Sequence, residues 1–541
     1  MEERKAEEIF KEFKEHSIAE FFKKNRQMLG YAGKAHSLVT LVHEYVTNSL
    51  DACEEAGILP EIEVKITQIG EEKYRISVKD NGPGIPKNYI GKALAQILAG
   101  TKFHRYVQQR GQQGIGAAGC TLFAQVTTGK PILAKSSTGN GKGYSCFISI
   151  DTLRNKPIIS NMQDVQDMQR GLYVEGEFGD VKYENSDHGV YEYLRRTALS
   201  NPHLQLKFVD PEGKEYLFVR AVDTVPERPI PVKPHPLGLS VNDLLEFAQK
   251  SESRKISSFL SESFARVTPT KIAEIKGIAP ELDMEKDPKS MTWEDAEKLV
   301  KAFHAVKWTA PDSSAIKSIG EEQIKIALKN ILNPEFMDVC ERKAAVFRGG
   351  IPFIVEAAIA FGGNSGKKTE EGYEGNILRY ANRVPLLFDS GNCAITTAVK
   401  EIEWKRYGID IDTQPVSIFV NISSVYIPYS GVGKESIAQE DEIISEIKLA
   451  LMDAARGLQR YIGGKMHLHE EASKYNVIMR YTKQLASDLS SISGIDKNEI
   501  EKKLEALVAK HYPRVASGQD DQKVGDQQDP NQNAQDAPGN T

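Results

Sequence analysis

The stretch Glu44-Tyr-Val-Thr-Asn-Ser-Leu-Asp-Ala52 decides how this chain is read. From Ser37 to Glu55, Leu38, Val42, Val46, Ser49 and Cys53 recur at the threes and fours of a core-facing helical stripe. Glu44, Asn48 and Asp51 share another side at the same spacing, so all three can address one ligand. An amide oxygen such as that of Asn48 suits Mg²⁺ and leaves coordination positions for phosphate oxygens and water. A carboxylate one turn earlier, Glu44, can take the proton of a water attacking a γ-phosphate. Read alone, the nonapeptide suits an amphipathic helix with a solvated polar face equally well.

Two further blocks narrow the choice. Tyr74, Ile76 and Val78 alternate with Arg75, Ser77 and Lys79, the period of a half-buried strand. Continuing that period puts Asp80 on the apolar face, where a lone carboxylate is costly unless paired. An adenine amino group can supply the pair. Asn81-Gly82-Pro83-Gly84 then forces a turn whose glycines let backbone approach a ligand closely, or simply ends a hairpin. The third block, Arg110-Gly-Gln-Gln-Gly-Ile-Gly-Ala-Ala-Gly119, leads into an apolar run from Leu122. Such a loop presents backbone N–H groups and a helix N-terminus to phosphate. No Gly-Lys-Ser/Thr follows, so it is not a Walker loop. Gly-Ile-Gly-Ala-Ala-Gly is formally a dinucleotide fingerprint, but Gly100 to Arg110 ahead of it has the character of a mobile lid, not a buried strand. Together the blocks specify an ATP site in which one helix supplies a carboxylate and an amide while glycine loops enclose the nucleotide.

In this order and spacing the blocks resemble the GHKL ATPases, which include gyrase-type topoisomerases, ninety-kilodalton heat-shock chaperones, histidine kinases and mismatch-repair ATPases. Four more stretches narrow the likeness: Ser17-Ile-Ala-Glu-Phe-Phe-Lys-Lys-Asn25, Arg195-Arg-Thr-Ala-Leu-Ser-Asn-Pro-His203, Lys233-Pro-His-Pro-Leu-Gly238 and Arg379-Tyr-Ala-Asn-Arg-Val-Pro-Leu-Leu387. These are similar to the B subunits of archaeal-type DNA topoisomerase VI, a type IIB enzyme, and the likeness runs from about residue 10 to about residue 510. It implies an α+β multidomain chain. Residues 1–228 would form a GHKL (Bergerat) ATPase α/β sandwich with an N-terminal strap, and 229–310 a small helix–two-turns–helix domain. Residues 311–512 would form an α/β transducer with a long C-terminal helix, and 513–541 a disordered acidic tail.

The resemblance also implies roles. Glu44 becomes the general base, Asn48 the Mg²⁺ ligand and Asp80 the adenine contact, and the 111–119 loop becomes the phosphate lid. Lys434, in Tyr429-Ser-Gly-Val-Gly-Lys-Glu435, reaches into the nucleotide site as a second catalytic residue. The full set of candidate ATP contacts is Asn48, Asp51, Asp80, Gly82, Gly84, Thr101, Lys102, Gly111, Gln112, Gln113, Gly114, Ile115, Gly116 and Lys434, with ATP and Mg²⁺ as cofactors. Implied partners are a second copy of the chain, the topoisomerase VI A subunit that cuts double-stranded DNA, and that DNA, in an A2B2 assembly relaxing duplexes by strand passage. One departure is visible: where the family carries a threonine supporting adenine, Arg170-Gly-Leu-Tyr-Val174 offers Leu172, so another hydroxyl serves or the base is held less tightly.

The rest of the chain agrees. A length of 541 residues suggests about three domains. Five scattered cysteines show neither zinc nor disulfide spacing. No apolar run is long enough to span a bilayer, which reads as cytosolic, and the resemblance implies a cytoplasmic, nucleoid-associated protein. The net charge of −6 is unusual for a DNA enzyme, but aspartates 520, 521, 526, 529 and 536 against Lys523 place −4 of it in the Gln/Asp/Asn-rich stretch from Val515 to Thr541. The proline-dense Val225–Pro236 marks a linker. After it, helices are expected at 241–249, 255–264, 270–275 and 292–305, a region that suits a structural spacer as well as a DNA contact through Lys271 and Lys276. Beyond Ser313, residues 344–361, 384–395 and 415–425 read as strand-rich, 439–461 and 474–511 as helix-rich. Asp410-Ile-Asp412 reads as a loop, not a metal-dependent cleavage centre. The alternative function is an ATP-gated clamp or scaffold that remodels protein clients. A histidine kinase is disfavoured because His16 and His36 sit in the wrong context.

Overall fold

The computed structural model describes residues 26, 30–97, 107–111, 114–370, 372–431 and 433–516. Thr101, Lys102, Gln112, Gln113, the strap before Asn25 and the tail from residue 517 lie outside the described residues, while Pro513–Ala516, expected in the tail, form a short helical turn.

The decisive stretch sits in α1, Lys34–Ala56, which ends where Gly57 turns left-handed and its N–H returns to Cys53 and Glu54. Next come β1 (Glu61–Gly70), β2 (Lys73–Asp80), α2 (Ile90–Ala95), α3 (Gly116–Thr128), β3 (Ile132–Gly139), β4 (Lys142–Asp151), β5 (Lys156–Gln166), β6 (Gly171–Phe178), α4 (Val190–Ser200), β7 (Gln205–Val209) and β8 (Glu215–Phe218). The strands form one sheet in the order β5-β4-β3-β6-β2-β1-β7-β8. Strict alternation in β1 and β2 buries Val64, Ile66, Ile76 and Val78 against Leu38, Val42 and Val46 of α1, and carries Asp80 onto the same covered face.

Past the proline linker, α5 (Val241–Lys250), α6 (Ile256–Ser263), α7 (Pro269–Ile278) and α8 (Trp293–Ala305) enclose their own core around Leu244, Phe259, Leu299 and Phe303. The boundaries follow local chemistry: Ser240 with Asp243 and Thr292 with Asp295 make reciprocal capping boxes, and Thr268 caps α7 ahead of Pro269. Lys271 pairs with Glu274 on α7, while Lys276 is exposed.

The third unit opens with α9 (Glu321–Leu332), followed by β9 (Phe336–Glu341), β10 (Ala345–Phe347), β11 (Ile351–Phe361) and the small ribbon β12 (Lys367–Thr369) with β13 (Gly372–Glu374). After these come β14 (Asn376–Ala381), β15 (Val384–Pro385), α10 (Ala394–Lys400), β16 (Val416–Ser424), α11 (Asp441–Ser493) and α12 (Lys497–His511). Its sheet runs β10-β11-β16-β14-β15, with β9 also on β11; β14 and β16 are parallel. One face is packed by α10 and the start of α11, the other by α9. The two sheet units interlock: Leu199 of α4 joins the α9 core, and Leu387 of the third unit joins the α1 core.

Two expectations are corrected here. Residues 384–395 give only the two-residue β15, because Leu386 turns into the third unit's own core, Leu387 packs into the α1 core, and α10 begins at Ala394. The helix expected to begin at 474 is the second half of one 53-residue helix, α11, about 80 Å long at 1.5 Å per residue. Gly494, at φ 72°, ends it, and α12 folds back upon it. Asp410 and Asp412 form a turn in which the Asp410 carboxylate accepts the Asp412 N–H.

Candidate active site

A cavity of about 960 Å³ opens between α1, the sheet and the third unit, large enough for a nucleotide. Glu44 and Asn48 face into it from α1; Asn48 is an exposed residue in a run of buried neighbours. Asp80 lies at another wall, 5% exposed, and its carboxylate is held by three donors. Ser49 Oγ donates to Oδ2 at 2.8 Å, and the N–H groups of Gly82 and Leu172 donate to Oδ1 at 2.9 and 3.1 Å. Burial pushes the Asp80 carboxyl up, and these three donors oppose it. Leu172 thus serves through its backbone, and the hydroxyl beside Asp80 comes from Ser49, a residue that spacing alone places in the apolar stripe. Gly82 does not line the cavity; it holds Asp80. Gly84 does line it, at φ 71°, where a Cβ would sit 2.2 Å from the Ser137 carbonyl oxygen.

One end of the cavity is built from α3. Ile115 gives this helix no side-chain cap, and Gly116, Ala117 and Ala118 all line the cavity. The positive, uncapped helix end therefore borders the cavity. Gly111, Gly114 and Ile115 complete this wall. A Cβ on Gly116 would lie 1.8 Å from Glu44 Oε2, so the absence of a side chain there lets the carboxylate reach the helix end. The Glu44–Asn48 donor set of one carboxylate and one amide suits a hard cation shared with phosphate oxygens. Among the described residues no cluster of His, Cys, Asp and Glu could hold a metal ion by itself.

Two family models match the chain: Histidine kinase-, DNA gyrase B-, and HSP90-like ATPase over residues 33–153, and Topoisomerase VI B subunit, transducer over residues 311–474. The type 2 DNA topoisomerase 6 B subunit of Methanothermobacter thermautotrophicus is 42% identical over 520 residues, covering 95% of this chain and 99% of that protein. The chain belongs to the family of DNA topoisomerase VI B subunits. The Pyrococcus horikoshii member is 43% identical over 543 residues, covering 92% of this chain and 95% of that one. The ATPase region of Saccharomyces cerevisiae topoisomerase II covers 83% of this chain and 98% of its own at 12% identity, and its TM-score of 0.40 adds nothing to the assignment. As a member of the family the chain is the ATP-driven B subunit of a type II topoisomerase, and the clamp-for-clients alternative falls away. Among the described residues no helix is long and apolar enough to cross a membrane.

In this topoisomerase VI B chain the transducer roofs the cavity. Pro385, Leu386, Leu387 and Phe388 line it, as do Gly433, Lys434 and Glu435. Lys434 holds φ 54°, a left-handed conformation uncommon outside glycine, and its N–H returns to the Gly431 carbonyl at 3.2 Å.

Asp51 is the one described candidate carboxylate that turns elsewhere. Its Oδ1 accepts from Arg110 Nη1 at 2.8 Å, and it does not line the cavity. Arg110, one residue ahead of Gly111, is buried and also grips Glu54 with both terminal nitrogens, at 2.8 and 2.7 Å, and Asn201 Oδ1 at 2.6 Å. The helix places Asp51 on the predicted side, but a guanidinium from 59 residues away claims it. His203 Nε2 lies 2.8 Å from Glu54. The transducer enters the same knot through the hairpin turn Asn382–Arg383, both residues at positive φ between β14 and β15. Ser200 Oγ and Asn201 Nδ2 donate to the Arg383 carbonyl, and Asn382 Nδ2 donates to the Gln109 carbonyl at 3.2 Å. Two of the family-specific sequence blocks, around 195–203 and 379–387, thus meet at this seam.

The knot predicts a pH dependence of stability. Burial pushes the His203 imidazole below its ordinary value, with the Glu54 bond opposing. The unfolded chain therefore takes up a proton near pH 6.5 that the folded chain does not, so stability falls as pH drops through that range. Burial raises the Glu54 carboxyl, but the Arg110 charge and the His203 bond outweigh it and hold it well below its usual range. That contribution is present above about pH 4.5 and is lost as pH falls further. Thermal melts should show a falling midpoint from about pH 7 to about pH 5. His203→Gln, which keeps an N–H donor and cannot titrate, should flatten that portion of the slope; an unchanged slope would contradict the assignment to His203.

Proposed function

We propose that the cavity binds Mg·ATP and that its closure and reopening drive the strand-passage cycle. Asp80 accepts the adenine amino group, and Asn48 would hold Mg²⁺, which supplies charge neutralisation at the phosphates. The 111–119 loop, with Gln112 and Gln113, is the lid over the phosphates, and Thr101 and Lys102 are further ATP contacts. Glu44 takes the proton of the attacking water. Lys434 neutralises the γ-phosphate and registers its loss. The observation that carries this reading is the convergence at one cavity of Glu44, the uncapped end of α3 and a transducer lysine in a left-handed backbone conformation.

On this reading residues 1–228 are the ATPase domain, 229–310 the helix–two-turns–helix domain, 311–512 the transducer and 513–541 a solubilising tail. Two copies dimerise through their ATPase domains when Mg·ATP binds, the segment before Asn25 strapping across. The transducer turns against the ATPase domain, and α11 and α12 pass the motion to an A subunit that cuts duplex DNA in an A2B2 complex of the cytoplasm. ATP acts by binding the open and closed states differently.

Lys434→Ala tests the reading. Hydrolysis should slow by roughly ten- to a hundred-fold, with ADP affinity unchanged, because only the γ-phosphate contact is lost. Unchanged turnover would sink the sensor role.

A further inference from the structure

His36 stands on the first turns of α1, facing the cavity from the ATPase side, and two parts of the transducer close on it. Its imidazole stacks on Phe388 with ring centroids 3.7 Å apart, and its Nε2 meets the Glu435 carboxylate. Both parts are held as one body. The Tyr429–Ile437 bridge closes the stem of the lysine loop, Ser430 N–H donates to the Ser436 carbonyl at 3.0 Å, and Ser436 Oγ donates to Asp389 at 2.6 Å, next to Phe388. Arg379 Nη2 fixes the Phe388 carbonyl at 2.8 Å, and His188 covers the ring from 5.7 Å. The His36 and Glu435 side chains are only 14% and 26% exposed.

We infer that His36 and Glu435 form a proton-dependent latch that seats the lysine loop on the nucleotide cavity, making His36 a positioning residue for Lys434. The inference rests on the reading of Lys434 as the γ-phosphate contact. Glu435 is bonded directly to Lys434 along the chain, so a carboxylate held by His36 fixes where the amine begins its reach. With an imidazolium the contact is a charge-assisted bond in a partly desolvated corner; with a neutral imidazole the Coulombic part is gone. The other charged and titratable groups facing this corner are His43 and Glu44 from α1, Lys434 and Asp389 from the roof, and His188 with Asp187, Lys367, Arg196 and Arg379 around Phe388. Each of these remains in the variants below, so its own titration cancels in a ratio of rates.

The test measures Mg·ATP hydrolysis by the full chain from about pH 6 to about pH 9, as the ratio of wild-type to variant kcat for His36→Gln and Glu435→Gln. The latch predicts a ratio of roughly ten near pH 6 that falls to about one near pH 9 for each single variant, with the double variant no worse than either. ADP affinity should not change. A loss that is the same at every pH, as a merely structural role would give, overturns the latch, and so does additivity of the two substitutions. Lys434→Ala run alongside separates the two ideas. If it slows turnover while the ratios stay flat, only the latch fails; if it leaves turnover unchanged, the sensor reading fails and the latch with it.

Discussion

Gly116→Ala is expected to leave the protein folded and to stop its ATP turnover. The added Cβ would fall 1.8 Å from Glu44 Oε2 and 2.5 Å from Glu44 Cδ, and these are the first atoms it meets. They are the far end of a flexible side chain, so the fold accommodates the methyl group by pushing the carboxylate aside. Alanine is also the better helix former by about 1 kcal/mol, which keeps α3 intact. Glu44, proposed above as the general base, is then displaced from the helix end where a phosphate would sit, and base catalysis is worth about 10²- to 10⁴-fold. Single-turnover hydrolysis should fall by that factor and Glu44→Ala should match it, while the thermal midpoint and dimerisation on a non-hydrolysable ATP analogue persist. Turnover within about threefold of wild type for Gly116→Ala would show that Glu44 does not work from its place beside α3. Loss of dimerisation together with turnover in Glu44→Ala would make Glu44 structural.

Arg110→Met is expected to destabilise the chain by about 3–5 kcal/mol, the cost of removing one partner of a buried ion pair. Methionine fills the volume but leaves the Asp51 and Glu54 carboxylates at the seam without their guanidinium. The first transition in denaturant should move by that amount. Adding Glu54→Gln should recover part of the loss, because one of the two stranded charges goes with it. A loss under about 1 kcal/mol would mean that the knot contributes no more than a surface pair. Since Arg110 precedes Gly111 directly, the variant should also slow hydrolysis by loosening the root of the proposed phosphate lid.

Local chemistry makes the ATPase core legible. The stripe through Leu38, Val42 and Val46 and the alternation through Tyr74, Ile76 and Val78 need no partner to be recognised, and the structure has α1 and β2 there. What escapes a reading of the residues is set by distant partners. Nothing near Asp51 announces Arg110, and nothing near Leu172 says that its N–H, not its side chain, serves Asp80. Ser49 passes for a core position because a small hydroxyl at stripe spacing does not reveal that it reaches a carboxylate on β2. The hairpin turn at Asn382–Arg383 does carry a signal: an asparagine leading two residues between short apolar runs suits a tight turn with positive φ at both positions. Without that turn, residues 384–395 read as strand, when Pro385 to Phe388 form the roof of the cavity. The continuity of α11 is likewise hidden, because after Tyr461 few of its side chains are buried and the apolar period fades.

The decisive measurement is relaxation of supercoiled plasmid by this chain co-purified with an archaeal A-type subunit, with and without Mg·ATP. Relaxation is expected only when both chains and Mg·ATP are present, and none is expected with Glu44→Ala. An assembled complex that hydrolyses ATP and leaves plasmid topology unchanged would refute ATP-gated strand passage as the work of this chain.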